Sequence, residues 1–292
     1  MRVTIRFSLL LAAFGALLSA QAPGRIAVTA AARSIRPGEL VVLTIATSAP
    51  PASLRVRAFD KEAVPFQVDS RTWRVVVGID LTTPPGTYMV DIDAGGGTAE
   101  DMATHALVVK PRAFPTRTIT VAEGFVNPPP DTVARIQQEA RELEQLWQSS
   151  APSRLWHGPF VRPVPDPANS AFGARSIFNG QPRSPHGGAD FLSPAGRPIE
   201  APNAGRIALA RDLYFTGKTV VIDHGLGLFS LFAHLSAVGV EAGALVGTGD
   251  VVGRVGATGR VSGPHLHWTV RAGGARVDPL SLLAVLGKQP KG

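Results

Sequence analysis

The chain has 292 residues, no cysteine and a formal charge of +7. That length leaves room for about two packed domains, and the missing cysteines exclude disulfides, a thioether-linked lipid anchor and cysteine-rich structural zinc modules. No dense Lys/Arg run marks a nucleic-acid surface, while the positive charge suits attraction to anionic polymers of a cell envelope.

The N-terminus is basic at Arg2 and Arg6, apolar from Phe7 to Leu18, then small at Ser19-Ala20-Gln21-Ala22. This order predicts a secretory signal peptide over residues 1–22. Its apolar run of about 12 residues is short of the roughly 20 that span a bilayer. The expectation is an exported chain, periplasmic or extracellular, with no membrane attachment after cleavage. Between residues 24 and 112, short β-rich runs at 40–45, 53–58, 72–77, 86–92 and 105–109 alternate with Pro, Gly and Asp turns. Their spacing predicts an immunoglobulin-like β-sandwich. It holds no cluster of ligands or nucleophiles, and His105 reads as an ordinary sheet residue. Such a domain is a candidate surface for a regulatory protein.

Residues 113–168 read as a linker containing one helix, 131–148, after Asn127-Pro128-Pro129-Pro130. Asp131 or Thr132 is the expected cap, and Val133, Ile136, Ala140, Leu143, Leu146 and Trp147 form one apolar stripe. His157, in the Pro-rich passage that follows, reads as structural or solvated. From 169 to 286 the pattern changes to short Gly-punctuated strands. A hairpin is expected around Gly225-Leu226-Gly227, and two similar half-units start near Ile199 and Leu245. The predicted architecture is therefore mostly β: a sandwich, a helical linker and an antiparallel sheet domain.

The chemistry lies in that last domain. Ser184-Pro185-His186-Gly187-Gly188-Ala189-Asp190 carries a His-x-x-x-Asp, and Gly263-Pro264-His265-Leu266-His267 carries a His-x-His in a strand-like run. Imidazole and carboxylate are ligands that zinc takes readily, and a catalytic zinc keeps three protein ligands and one open position. On a strand His265 and His267 share a face, but their Cα atoms stand about 6.5–7 Å apart. One is then expected to bind metal while the other faces substrate or water. His186 and Asp190 would be about 13 Å apart if extended, so Gly187-Gly188 is expected to supply a tight bend. His234, at the end of the hairpin, can aim an imidazole into a cleft and exchange protons. His224 reads as a turn residue or a further functional histidine.

In this order the motifs resemble the lysostaphin-type (LytM-like) zinc metalloendopeptidases, which cut peptidoglycan peptides. The matching stretches are Phe172-Gly173-x-Arg175, His186-Gly187-Gly188-Ala189-Asp190, Val221-Ile222-Asp223-His224-Gly225, Phe232-Ala233-His234-Leu235 and Thr258 to His267. The resemblance covers residues 171–282, roughly two-fifths of the chain. It implies one Zn2+ held by His186, Asp190 and His267, with His234 and His265 as catalytic residues beside it. It also implies an antiparallel sheet with a groove, a peptidoglycan peptide as substrate, and amide hydrolysis as the reaction. His265 is the favoured base and His234 the favoured oxyanion stabiliser. The alternative is a zinc-bound, non-catalytic regulator or amidase activator, although no ligand or catalytic position is missing. The chain is expected to be a monomer. Asn179 and the Pro-rich linker lie near enough in sequence to act as an inhibitory plug.

Overall fold

Period-two alternation of apolar and polar residues, interrupted by turns, builds two antiparallel sheets from the first third of the chain. A computed structural model describes residues 25–169 and 172–287, so the expected leader over 1–22 lies outside the described residues. The strands are β1 (Ile26–Ala32), β2 (Leu40–Thr47), β3 (Arg55–Ala58), β4 (Lys61–Glu62), β5 (Phe66–Gln67), β6 (Thr72–Gly78), β7 (Gly86–Asp93) and β8 (Met102–Val109). One sheet runs β1-β2-β6-β5 and the other β4-β3-β7-β8. Their facing residues, among them Val41, Leu43, Ile45, Val75, Val56, Val90, Ile92 and Leu107, close a sandwich core.

Strand β2 is apolar on both faces. Val41, Leu43 and Ile45 enter the sandwich core, while Leu40 and Val42 join the core of the second domain. The continuous Leu-Val-Val-Leu run is thus a strand buried between two packed layers.

The segment read as a linker contributes structure to the second domain. Strand β9 (Thr116–Ile119) pairs in parallel with β11 (Arg175–Phe178), which pairs antiparallel with β12 (Gln181–Arg183). Helix α1 (Pro130–Gln148) begins one residue before its expected start, and neither Asp131 nor Thr132 caps it. Pro130 opens it because proline's fixed φ and missing N–H cost nothing in the first turn. Its stripe does pack: Leu143, Leu146 and Trp147 meet Leu209, Val221 and Phe229, with Trp147 edge-on to Phe229 at 5.3 Å.

The large antiparallel sheet follows the order β10 (Ala168–Asn169), β13 (Gly188–Phe191), β20 (Leu266–Ala272), β17 (Leu228–Val238), β16 (Gly217–Gly225), β15 (Gly205–Leu213) and β18 (Leu245–Val246). The two half-units pair through β14 (Pro198–Glu200) with β19 (Val251–Val255) and through β15 with β18. Strand β21 (Ala275–Val277) and helix α2 (Pro279–Leu286) finish the domain. Asp278 caps α2 by accepting from Leu280 N. Among the described residues no helix is long and apolar enough to cross a membrane.

Candidate metal centre

Sheet register brings the site together. Asp190 on β13 lies directly opposite His267 on β20, and Ala233 on β17 flanks His267 on its other side. His186 stands just before β13, its backbone tied to Ala174 and Gly173 by hydrogen bonds of 2.9 and 2.8 Å. His186 Nε2, Asp190 Oδ1 and His267 Nδ1 meet in a triangle with sides of 2.9, 2.8 and 2.9 Å. The structure thus joins all three residues of the expected ligand set.

The expected tight bend is not what the glycines provide. Neither Gly187 nor Gly188 has a positive φ, and Gly188 lies inside β13. A Cβ on Gly188 would stand 2.8 Å from His267 Cε1 and 2.4 Å from the Trp268 carbonyl oxygen. Its bare Cα makes room for the imidazole of His267 between His186 and Asp190.

His234 needs a backbone irregularity to reach this face. Ala233 is the cross-strand partner of His267, so regular alternation would turn His234 to the opposite, core side. The β16–β17 register slips between the pairs Val220/Phe232 and Lys218/Leu235, which puts an extra residue in β17, and His234 has φ 67°. A bulge of this kind re-aims one side chain. Leu235 then takes the core position beside Phe232, and the His234 ring stands 5.9 Å from His267 and 5.1 Å from His265.

Second contacts define the tautomers. His234 Nδ1 donates to Thr258 O at 2.8 Å and His265 Nδ1 to Gly263 O at 2.9 Å, since a carbonyl only accepts. In the neutral rings each Nε2 then carries a lone pair, and His265 Nε2 lies 3.7 Å from Asp190 Oδ1. His267 Nε2 meets Thr269 Oγ1 at 3.0 Å, a hydroxyl that can also accept from it and leave Nδ1 free as a ligand.

The electrostatics fit a cation. Burial alone would raise the Asp190 carboxyl, but hydrogen bonds and charge from His186 and His267 hold it well below the usual carboxylate range. Burial, with the neighbouring histidines, pushes His234 down to about 3, and burial lowers His267 as well. In the triangle each nitrogen can give one proton to the carboxylate, which leaves two N–H groups facing each other. A divalent cation replaces both protons and accepts three lone pairs, and a tetrahedral ion with bonds of about 2.0–2.2 Å needs only a small outward shift of the donors. The set of two imidazoles and one carboxylate fits zinc.

Residues outside the triangle answer the remaining expectations. His224 is fully buried, with Nδ1 on Ala204 O and Nε2 on Ser230 Oγ, so it is a core residue. His105 sits in β8, and His157 is exposed, its backbone N–H donating to Asn203. Asn179 uses its amide on both backbone groups of Val121 and does not line the cleft. The cleft is instead lined by Arg117, Ile119 and Val121 of the β9 segment. Arg117 Nη1 lies 3.3 Å from Asp190 Oδ2, leaving Oδ1 to the triangle. Arg117 escaped the sequence reading because 73 residues separate it from Asp190. The alternating Thr116-Arg117-Thr118-Ile119 was its only local sign of strand structure.

Comparison with known proteins places these observations. A family model described as Peptidase family M23 matches residues 184–279. A crystal structure from Pseudomonas aeruginosa, described as a peptidase M23, superposes with a TM-score of 0.68 at 32% identity. That alignment takes in 86% of this chain and 96% of the other. DD-carboxypeptidase/endopeptidase Mpg of Neisseria meningitidis serogroup B is 41% identical over 97 residues, 33% of this chain and 22% of Mpg. Peptidoglycan DD-endopeptidase ShyA of Vibrio cholerae is 37% identical over 97 residues, 33% of this chain and 23% of ShyA. The chain therefore spans under a quarter of the length of these curated relatives. With a two-domain match along nearly the whole Pseudomonas structure, and the motif region matched by the family model, the chain belongs to peptidase family M23.

Proposed function

We propose that the chain is a zinc-dependent endopeptidase that hydrolyses amide bonds in the stem or cross-link peptides of peptidoglycan. The observation that carries this reading is the convergence of His186, Asp190 and His267 on one point, with two further imidazoles facing it. The name of ShyA supports the substrate class, and that of Mpg supports endopeptidase activity.

His186, Asp190 and His267 would hold the metal. When bound, a zinc ion supplies Lewis-acid polarisation and lowers the pKa of a bound water to about 7. The chain's own groups then handle the protons. His265 Nε2, with its lone pair beside the triangle, takes the proton of the attacking water and passes it to the leaving amine. His234 faces the same space from the bulge. Its Nδ1–H is committed to Thr258, so it donates to an oxyanion only when Nε2 is protonated. That proton comes from solvent, and burial opposes its uptake until negative charge develops beside the ring.

On the same reading the protein acts in the cell envelope, directed there by residues 1–22. Incubation of metallated protein with purified sacculi tests the proposal through the release of new amines. Chelation should abolish release, and zinc should restore it. His234→Ala and His265→Ala should keep zinc yet lose at least about 100-fold in rate, the scale of one general acid–base or oxyanion group. His186→Ala should lose the metal. Sacculi left uncut by zinc-loaded protein would instead support a non-catalytic regulator.

A further inference from the structure

The cleft contains a second charged feature that the hydrolytic chemistry does not use. Arg260 lies on the loop between β19 and His265, its backbone N–H held by Phe215 O at 2.8 Å. Gly259, with φ 74°, permits this approach, because a Cβ there would stand 2.4 Å from Gly217 N. The Arg260 guanidinium is sandwiched between two rings, its carbon 4.4 Å from the Phe215 centroid and 4.8 Å from that of Phe178. All three side chains line the same cleft as His186, His234 and His265.

Among the described residues no carboxylate pairs with Arg260, and no hydrogen bond uses its five side-chain N–H groups. The contrast with Arg117 is direct, since Arg117 has Asp190. Arg183, whose charge repels Arg260, spends its donors on Val126 O, Pro182 O and Gln181 Oε1. Arginine stays protonated in proteins, so the wall carries a half-buried cation with no counter-ion among the described residues. Its nitrogens are not sealed off. Stacking between two rings holds the planar fork in one orientation, the arrangement that suits bidentate recognition of a carboxylate.

We propose that Arg260 is the subsite for a free carboxylate of the peptide substrate, next to the amide that is cut. This deepens the endopeptidase reading and rests on it. The cleft, about 200 Å³, is smaller than the roughly 300–1,000 Å³ that encloses a drug-sized ligand. Arg260 and the ligand triangle line this one cleft, so an anion on Arg260 shares it with the scissile amide. A cross-link whose amide nitrogen belongs to a diamino dicarboxylic acid carries such a carboxylate beside the bond.

The test uses stem-peptide dimers that differ only in whether the carboxyl groups flanking the scissile amide are free or amidated. The zinc-loaded full chain should favour the free acid by about 10- to 100-fold in kcat/KM, the range of a charge-assisted pair. Most of that preference should appear in KM. In Arg260→Gln and in the bulkier apolar Arg260→Met the ratio should fall to about one, and Arg260→Lys should keep part of it. Melting temperatures check that each variant is folded. Fluorescence anisotropy of the same peptides on chelator-treated full chain reads the preference without cleavage. A wild-type ratio near one, or an unchanged ratio in a folded Arg260→Gln, overturns the proposal. Carboxylate-selective binding without cleavage by the metallated chain would leave Arg260 its role and sink the peptidase reading alone. Failure of both peptides to bind would overturn both.

Discussion

Gly188 shows how tightly the ligand atoms are packed. A methyl group there meets the ring of His267 at 2.8 Å and the backbone of Trp268 at 2.4 Å, and backbone cannot swing aside. Gly188→Ala should therefore displace His267 and weaken zinc binding by at least about 10-fold, as judged from support-shell losses around metals. Competition with a chromophoric chelator measures this, and wild-type affinity would contradict the packing argument. His224 illustrates the opposite kind of histidine. Burial, partly offset by its bond to Ala204 O, lowers it to about 4. Between pH 4 and an unfolded value of about 6.5 the unfolded chain binds the extra proton, so this contribution to stability is full above about 6.5 and is lost as pH falls towards 4. The melting temperature should drop across that window, and His224→Gln should flatten part of the drop. An equal slope in both proteins would refute the assignment. His186, Asp190, His265 and His267 could be singled out from sequence because each short motif carries its own ligands. The resemblance singles out His234, whereas local pattern leaves His224 open between a turn residue and a functional histidine.

At the scale of elements, the bulge in β17 and the strand β9 decide what the motifs can do. Without the extra residue at His234, alternation would send that ring towards Phe232 and Trp268 and leave Leu235 facing the cleft. The half-units and the hairpin were predictable from turns and β-branched runs. The bulge was not, because it depends on register against β16. Strand β9 carries a similar lesson. Read as linker, it pairs with β11 and delivers Arg117 to the outer oxygen of Asp190. Arg117→Ala should cost about 10- to 100-fold in zinc affinity or activity, the usual effect of removing a ligand's supporting partner. Isothermal titration of the metal-free variant measures this, and an unchanged affinity would reduce Arg117 to a surface ion pair.

The whole molecule is held together by more than a tether. Glu39 of the sandwich and Asp278 at the start of α2 are both buried, and Arg33 and Arg112 bridge them at 2.6–3.6 Å. Asp80 clasps Arg276 through two side-chain hydrogen bonds of 2.7 and 3.1 Å, and Leu40 N donates to Ser281 Oγ. With Leu40 and Val42 in the second core, the two domains share one packed interface. Urea unfolding should show one cooperative transition reported by both domains. Glu39→Ala leaves two partly exposed guanidinium groups sharing Asp278 and should cost about 1–3 kcal/mol. Separate transitions in the wild type would contradict this coupling. Residue type and local period were enough to identify the β-rich layers, the helix stripe and the His and Asp motifs, because these properties belong to neighbouring residues. Tertiary structure alone decided the direction of His234, the roles of Gly188 and Arg117, and the burial of both faces of β2. Each depends on strand register or packing between residues far apart in the chain, which no local pattern encodes.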